Sequence, residues 1–175
     1  MAGRDYEPRP SVSDPRRHLL AETLAFVRAA WRLPGVRRIA LIGSLTTEKP
    51  VPKDADLLVV IDDTVDFDAL AQLGRRLKGT AQSINLGGDI FLADETGRYI
   101  GRICGHRECH PRKTCYALNC GRRQHLNDDL QEVALAPALM AEPPIDLRPK
   151  IVVRRTVPDD VNSLLLKPLM EVSSH

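Results

Sequence analysis

Aromatic residues are scarce in this sequence. Phe, Trp and Tyr together make up 4% of the residues, although 43% of the residues are hydrophobic. The core of the folded chain must therefore consist mainly of aliphatic side chains. With 175 residues, the chain is long enough for one domain with a sizeable core and an appendage.

Long hydrophobic runs are missing as well. No stretch approaches the roughly eighteen consecutive apolar residues of a membrane-spanning helix, and residues 1–10 are polar and charged, unlike a secretory signal. We therefore expect a cytoplasmic protein without a membrane partner. The net charge of +2 is too small to indicate a nucleic-acid-binding protein by itself.

Two apolar runs, Ile39–Ile42 and Leu57–Ile61, have the length and the β-branched content of buried strands. The first run ends at a Gly-Ser pair, Gly43 and Ser44. The small Gly43 would let the backbone approach a polyphosphate closely, and Ser44 offers a hydroxyl and an N–H to a phosphate oxygen. The pair is therefore a candidate phosphate contact.

Three acids lie close to these runs. Asp54 and Asp56 come directly before the second run, and they point the same way because side chains along a strand alternate between faces. Two neighbouring carboxylates repel each other unless a cation lies between them, and Mg²⁺ binds through such oxygen ligands. Asp89 lies in the otherwise apolar segment 83–92. It is either a third ligand or an acid at an exposed edge or in a hydrogen-bonded turn.

These motifs resemble the DNA polymerase β-like nucleotidyltransferase superfamily, especially its small single-domain members. The family pattern is a strand ending in Gly-Ser, a loop, Asp-x-Asp opening the next strand, and a third acid on a later strand. The resemblance covers roughly Asp14 to Asp94. It implies an α/β (α+β) fold with a short mixed sheet flanked by helices. It also implies Mg²⁺-dependent transfer of a nucleoside monophosphate from an NTP to a hydroxyl acceptor that the sequence does not identify.

The resemblance also implies roles for these residues. Asp54 and Asp56 would hold the metal or metals that bridge the triphosphate. Asp89 would complete a two-metal site and bias the acceptor hydroxyl toward deprotonation. Gly43 and Ser44 would contact phosphate.

The loop after the Gly-Ser pair departs from the family pattern. Many small relatives carry Ala-Arg-Gly there, whereas this chain has Leu-Thr-Thr-Glu-Lys-Pro at 45–50 and a second proline at Pro52. The departure favours an alternative, a catalytically weak domain of the same fold that acts as a binding module for nucleic acid or a protein partner. A further alternative is an unrelated zinc protein in which Asp-x-Asp belongs to a turn.

All four cysteines lie within seventeen residues, spaced Cys-x₄-Cys-x₅-Cys-x₄-Cys. Disulfides are uncommon in the cytosol, and thiols clustered with histidines are typical of a tetrahedral structural zinc site. The alternatives are two disulfides or reduced thiols without a ligand. The predicted zinc ligands are Cys104, Cys109, Cys115 and Cys120, with His106 or His110 as a substitute for one of them.

Basic residues surround the cysteines. They are Arg102, Arg107, Arg112, Lys113, Arg122 and Arg123, with Tyr116 among them. A small basic zinc module with an aromatic side chain can bind phosphate backbones. Arginines also keep exposed loops soluble, so contact with nucleic acid and a solvated surface both stay open.

Helix signals occur in both halves of the chain. Asp14 before Pro15 is typical of a helix start, and apolar spacing carries this helix to about Trp31. A second helix is predicted over 67–78, ended by Gly79, and its basic face is expected to be solvated. A final short helix, interrupted by Pro168, is predicted over 162–170.

The patterns divide the chain into four parts. They are a flexible lead-in at 1–13, the nucleotidyltransferase-like domain at 14–98, the Cys/His zinc-binding segment at 99–126, and a C-terminal extension at 127–175 that packs on the core. The expected cofactors are Mg²⁺ in a two-metal site and structural Zn²⁺, with an NTP as substrate.

Overall fold

A computed structural model of the chain describes residues 14–83, 86–106, 109, 120–128 and 135–172. The predicted lead-in at 1–13 lies outside these ranges. The described residues form an α+β fold, in which helices accompany a mixed sheet of six strands. The expected mixed sheet with helices is therefore confirmed.

The elements follow one another along the chain. The strands are β1 (Val36–Ile42), β2 (Asp54–Ile61), β3 (Gly87–Ala93), β4 (Tyr99–Ile103), β5 (Leu126–Asn127) and β6 (Ile145–Arg148). The helices are α1 (Pro15–Ala30), α2 (Phe67–Gln82), α3 (Asp159–Val161) and α4 (Lys167–Val172). A π-helical turn, Asn162–Leu166, joins α3 to α4, and 3₁₀ turns occupy Gly43–Thr46 and Pro137–Met140.

The strand order in the sheet is β5-β4-β3-β2-β1-β6. Only β2 and β3 run parallel, and α2 connects them, whereas all other neighbouring strands are antiparallel. Because parallel strands begin at the same edge of a sheet, the first residues of β2 and β3 lie side by side. These are the residues that carry the predicted acids.

Helix α1 begins as predicted. The side chain of Asp14 accepts a hydrogen bond of 3.1 Å from the backbone N–H of Arg16, and Pro15 occupies the first turn. This arrangement is a standard N-cap. The apolar stripe of the helix is fully buried at Leu19, Leu20, Val27 and Ala30.

Helix α2 ends at Gln82, one turn later than the predicted end at Lys78. Its start is capped by Asp66, which accepts a hydrogen bond from the backbone N–H of Ala69 at 3.0 Å. The predicted C-terminal end was wrong because the helix continues through Gly79. The additional turn places Ala81 in the core with no exposed surface.

The two faces of the sheet differ. The helices cover one face and form the main core with strand residues such as Leu57, Val59 and Ile90. The opposite face carries a smaller apolar cluster, Ile42, Leu58, Phe91 and Ala93, against which Leu135 and Leu139 pack. The sheet therefore separates a large core beneath the helices from a smaller apolar cluster on its second face.

The C-terminal helix is not interrupted at Pro168. Helical structure continues from α3 through the π-helical turn into α4, which contains the proline. A proline lacks an N–H and its ring clashes with the carbonyl four residues earlier. A π-helical turn directly upstream accommodates this gap in the hydrogen-bond ladder. Val161, Leu165 and Leu169 of this stretch are fully buried in the main core.

The predicted zinc-binding segment, 99–126, meets the sheet at both ends. Its first residues form β4, and β5 begins at Leu126. Strand β6 of the C-terminal part pairs with β1 at the other side of the sheet. In the ranges that the structure describes, no helix is long and apolar enough to cross a membrane.

Candidate functional site

The three predicted acids lie on adjacent parallel strands. Asp54 and Asp56 belong to β2 and Asp89 to β3, and Asp56 is the direct register partner of Asp89. By the alternation of side chains along a strand, all three share the face of Leu58 and Phe91, opposite the helices. We call these three residues the acid triad. Asp89 lies on an inner strand, so it is not an acid at an exposed sheet edge.

Asp56 is the most buried member of the acid triad, with 6% of its surface exposed. Burial raises the pKa of Asp56 from 3.8 to about 7, and the charges of Asp54 and Asp89 act in the same direction. A hydrogen bond from the Asp89 backbone and the charge of Lys78 oppose these effects on the pKa. The carboxylates thus crowd each other, and a cation would relieve the repulsion.

Two glycines leave room beside the acid triad. Gly43 has a φ of +74°, and a Cβ there would lie 2.9 Å from Oδ2 of Asp56. A Cβ at Gly87 would collide with Oδ1 of Asp54. A positive φ favours glycine, so both the backbone and the nearby carboxylate require it at position 43. The Gly-Ser pair therefore ends β1 directly beside Asp56, which is the register partner of Ile42.

The loop after the Gly-Ser pair is held by two arginines. Arg155 donates to the carbonyl of Thr46 at 2.6 Å and to its hydroxyl at 3.0 Å. Arg16, only 7% exposed, donates to three backbone carbonyls of the same loop, those of Leu45, Thr47 and Lys49. Residues 45–49 thus form a loop that contacts from other parts of the chain hold in place.

Sequence reasoning missed both of these arginines. Arg16 also forms two hydrogen bonds with Asp160, at 2.6 and 3.0 Å, across 144 positions of the chain. No local pattern in the sequence indicates a contact over such a distance. The positions of Leu135 and Leu139 over the site face were missed for the same reason.

The basic face of α2 is only partly solvated. Arg76 is exposed as expected, but Arg75 and Lys78 are half-buried. The Lys78 side chain passes Gly105 and places its Nζ 3.3 Å from Oδ1 of Asp89. The expectation was therefore wrong for these two residues, because the chain that follows β4 passes beside the C-terminal half of α2.

The donor set of the acid triad fits Mg²⁺, which prefers carboxylate oxygens. Among the residues with a described position, however, no group of three or more His, Cys, Asp or Glu side chains is arranged to hold a metal ion. The three carboxylates thus share a face without converging on one point. Binding of an ion would require them to turn inward.

Two of the predicted zinc ligands, Cys104 and Cys109, are buried and form no disulfide. The sulfur of Cys109 accepts a hydrogen bond of 3.1 Å from the backbone N–H of His125, and the backbone N–H of Cys104 donates to the carbonyl of His125 at 2.8 Å. Cys120 is half-buried, and its backbone forms an antiparallel β-bridge with Asn127. His106 is exposed. The remaining candidates, Cys115 and His110, lie outside the described residues, so the zinc site stays a prediction.

His125 connects the cysteine segment to α2, which sequence reasoning did not foresee. It is 6% exposed and adopts a φ of 68°. Arg75 lies 2.6 Å from its Nδ1, and Asp68 lies 3.0 Å from its Nε2. Since arginine can only donate, this network assigns the ring proton to Nε2. Burial, followed by the charge of Arg75, lowers the pKa of His125, which favours the neutral ring.

Residues 6–119 match a protein-family model that is described as a family of unknown function (DUF6932). No curated protein and no solved structure matches the chain. The matched residues include the whole acid triad and the Gly-Ser pair. Since the match covers more than half of the 175 residues, the chain belongs to this family, DUF6932.

Proposed function

We propose that the protein is a Mg²⁺-dependent nucleotidyltransferase that moves a nucleoside monophosphate from an NTP to a hydroxyl acceptor. The observation that carries the proposal is the placement of Asp54, Asp56 and Asp89 on one face of two parallel strands. Gly43, at the end of the neighbouring strand β1, lies beside Asp56. Carboxylates held together in this way repel one another and gain nothing without a cation.

The proposed reaction is an in-line displacement at the α-phosphorus. The acceptor oxygen forms a bond to this phosphorus, the bond to the β-phosphate oxygen breaks, and pyrophosphate leaves with the electron pair. Asp89 is the residue proposed to take the proton of the acceptor hydroxyl. Mg²⁺, when bound by the acid triad, would neutralise charge on the triphosphate. Gly43 and Ser44 would receive phosphate oxygens.

Calorimetric titration with ATP, GTP, CTP and UTP, with and without Mg²⁺, tests the proposal. We expect at least one NTP to bind only when Mg²⁺ is present. The double variant Asp54→Asn/Asp56→Asn should lose this binding, because it removes two carboxylate ligands at nearly constant size.

The double variant Asp62→Asn/Asp63→Asn is a matched control. It removes the same number of charges at the opposite end of β2, so it should bind NTP like the natural protein. Equal binding by both double variants would remove the acid triad from the nucleotide site. If no NTP binds, the proposal of an enzyme fails.

A second candidate function is a binding module with the same fold. It is favoured by the replaced Ala-Arg-Gly loop and by carboxylates that do not converge in the described part of the chain. In this case RNA or DNA, or a protein partner, would contact the basic residues near the cysteines. Salt-sensitive binding of RNA or DNA that survives Asp54→Asn/Asp56→Asn would support the module.

A structural zinc ion in the cysteine segment is the second part of the proposal. We expect Cys109→Ser and Cys115→Ser each to release zinc and to loosen residues 100–125, since a short loop without its ion loses the ligand bonds that hold it. Metal analysis after dialysis and hydrogen exchange would measure both effects. His106→Gln tells whether this histidine is a ligand. Full zinc retention in both cysteine variants would remove those two cysteines from the ligand set.

A further inference from the structure

An open cleft of about 410 Å³ lies next to Asp89. It is lined by Arg75 and Lys78 from α2, by Arg102 from β4, and by Asp89 itself. In the sheet, β4 adjoins β3 on the side away from β1. The cleft and the Gly-Ser pair therefore lie on opposite sides of the acid triad. With strands spaced about 4.8 Å apart, β4 lies about 14 Å from β1.

The described lining of the cleft has more positive than negative charge. Three cations face it, but Asp89 is the one carboxylate among these residues. Asp89 is paired with Lys78 at 3.3 Å. Arg102 lies 3.1 Å from a carboxylate oxygen of Asp128, behind the lining. Arg75 donates to an uncharged acceptor, the Nδ1 of His125, so no carboxylate contacts its guanidinium directly in the described part of the chain.

Two donors in this lining are unsatisfied. The Nε atoms of Arg75 and Arg102 are buried, and neither has a hydrogen-bond partner among the described residues. For Arg102, the distance to Asp128 is that of an ion pair, but the Nε–H does not align with the acceptor. A buried donor without an acceptor costs about 1–3 kcal/mol. An anion in the cleft would balance the positive charge of the three cationic side chains that line it.

We infer that this cleft binds the phosphate group of the acceptor, which is a phosphorylated small molecule whose hydroxyl lies beside Asp89. The inference rests on the proposed function, because it assigns the triphosphate to the Gly-Ser side of the acid triad and leaves the cleft for the second substrate. Arginine forks match phosphate oxygens in geometry and charge. A volume of about 410 Å³ lies in the range of small-molecule sites.

The proposed anion site can be tested with inorganic phosphate, in the absence of Mg²⁺ and NTP. Calorimetry and NMR titration measure its binding. We expect Lys78→Gln and Arg102→Gln each to weaken this binding about tenfold. Arg76→Gln is the matched control, because Arg76 is an exposed arginine of α2 between Arg75 and Lys78 and does not line the cleft. It should bind phosphate normally. No phosphate binding, or an equal loss in the control, would overturn the site.

Further binding experiments test whether the occupant of the cleft is a phosphorylated small molecule or another phosphate-containing ligand. Ribose 5-phosphate should bind at least tenfold more tightly than ribose and should not displace Mg²⁺-dependent NTP. Competition by a short RNA alone would assign the cleft to nucleic acid and overturn the small-molecule acceptor. The variant Asp54→Asn/Asp56→Asn should keep phosphate binding in the cleft while it loses NTP. If the natural protein binds phosphate but no NTP, the proposed function fails although the anion site stands.

Discussion

Replacing Asp56 with Asn raises the thermal midpoint of the metal-free protein at pH 8, and the gain shrinks toward pH 4. In the folded chain, burial and the neighbouring carboxylates raise the pKa of Asp56 from 3.8 to about 7. In the unfolded chain the ordinary value applies. Between these two values the folded state binds the additional proton, so a rise in pH through this window lowers the stability of the fold.

The side chain of Asn carries no charge, so the variant does not lose this stability as the pH rises. The difference between pKa values of 3.8 and about 7 corresponds to roughly 4 kcal/mol at most, and relaxation of the site reduces it to about 2–4 kcal/mol. For a chain of this length the thermal midpoint should rise by roughly 5–15 °C at pH 8. Thermal unfolding of both proteins between pH 4 and pH 8 measures the effect.

Asp62 provides a control of opposite sign. Hydrogen bonds from Thr64, followed by interactions with Arg37, lower the pKa of Asp62. Its ionised form therefore supports the fold above the ordinary pKa, and Asp62→Asn should not raise the thermal midpoint at any pH. A pH-independent gain in Asp56→Asn, or no gain, would contradict the buried, mutually repelling acid triad.

Mg²⁺ gives the same experiment a functional readout. If the acid triad binds the ion, Mg²⁺ at pH 8 stabilises the natural protein by mass action, since it binds the folded state. The thermal midpoint of Asp56→Asn should not rise when Mg²⁺ is added. An equal increase in both proteins would place the ion elsewhere.

Replacing Arg16 with Ala lowers the free energy of unfolding by about 2–4 kcal/mol, because a buried guanidinium that donates to backbone carbonyls and to a half-buried carboxylate is removed. The guanidinium is 7% exposed and forms two hydrogen bonds with Asp160. Its other hydrogen bonds go to the loop that follows the Gly-Ser pair. The truncation leaves three backbone carbonyls and a carboxylate without this donor. Urea unfolding, analysed by linear extrapolation, measures the change.

The Arg16→Ala substitution should also weaken nucleotide binding at the candidate site. Without Arg16 the loop after Gly43 is held on one side only, by Arg155, and we expect weaker Mg²⁺-dependent NTP binding. Arg16→Lys should recover only part of the stability, because an ammonium cannot replace the planar fork of donors. Arg17→Ala removes an exposed arginine from the same turn and should change stability little. A comparable loss in both Ala variants would contradict the anchoring role.

Local signals predicted several elements correctly. The start of α1 follows from Asp14 and Pro15, whose capping geometry depends only on the next few residues. The apolar run Ile39–Ile42 was predicted to be a buried strand, and it forms the second half of β1. Each of these features is set by the dihedral preferences and apolar spacing of a short stretch. Such stretches need little information from the rest of the chain.

The predictions that failed depended on distant contacts. Gly79 indicated a helix end, but burial of Ala81 extends α2 by another turn. Pro168 indicated an interruption, but the buried helix continues through a π-helical turn. In both places packing outweighs a local preference of about 1–3 kcal/mol.

The sequence by itself determined which residues can carry the chemistry. It placed two carboxylates on one side of a strand after a Gly-Ser pair, because the alternation of side chains has a period of two. Tertiary structure alone decided that Asp89 is the neighbour of Asp56, that Lys78 pairs with Asp89, and that Arg16 holds the loop. These contacts join different secondary-structure elements, and they form only when the sheet and helices pack against one core.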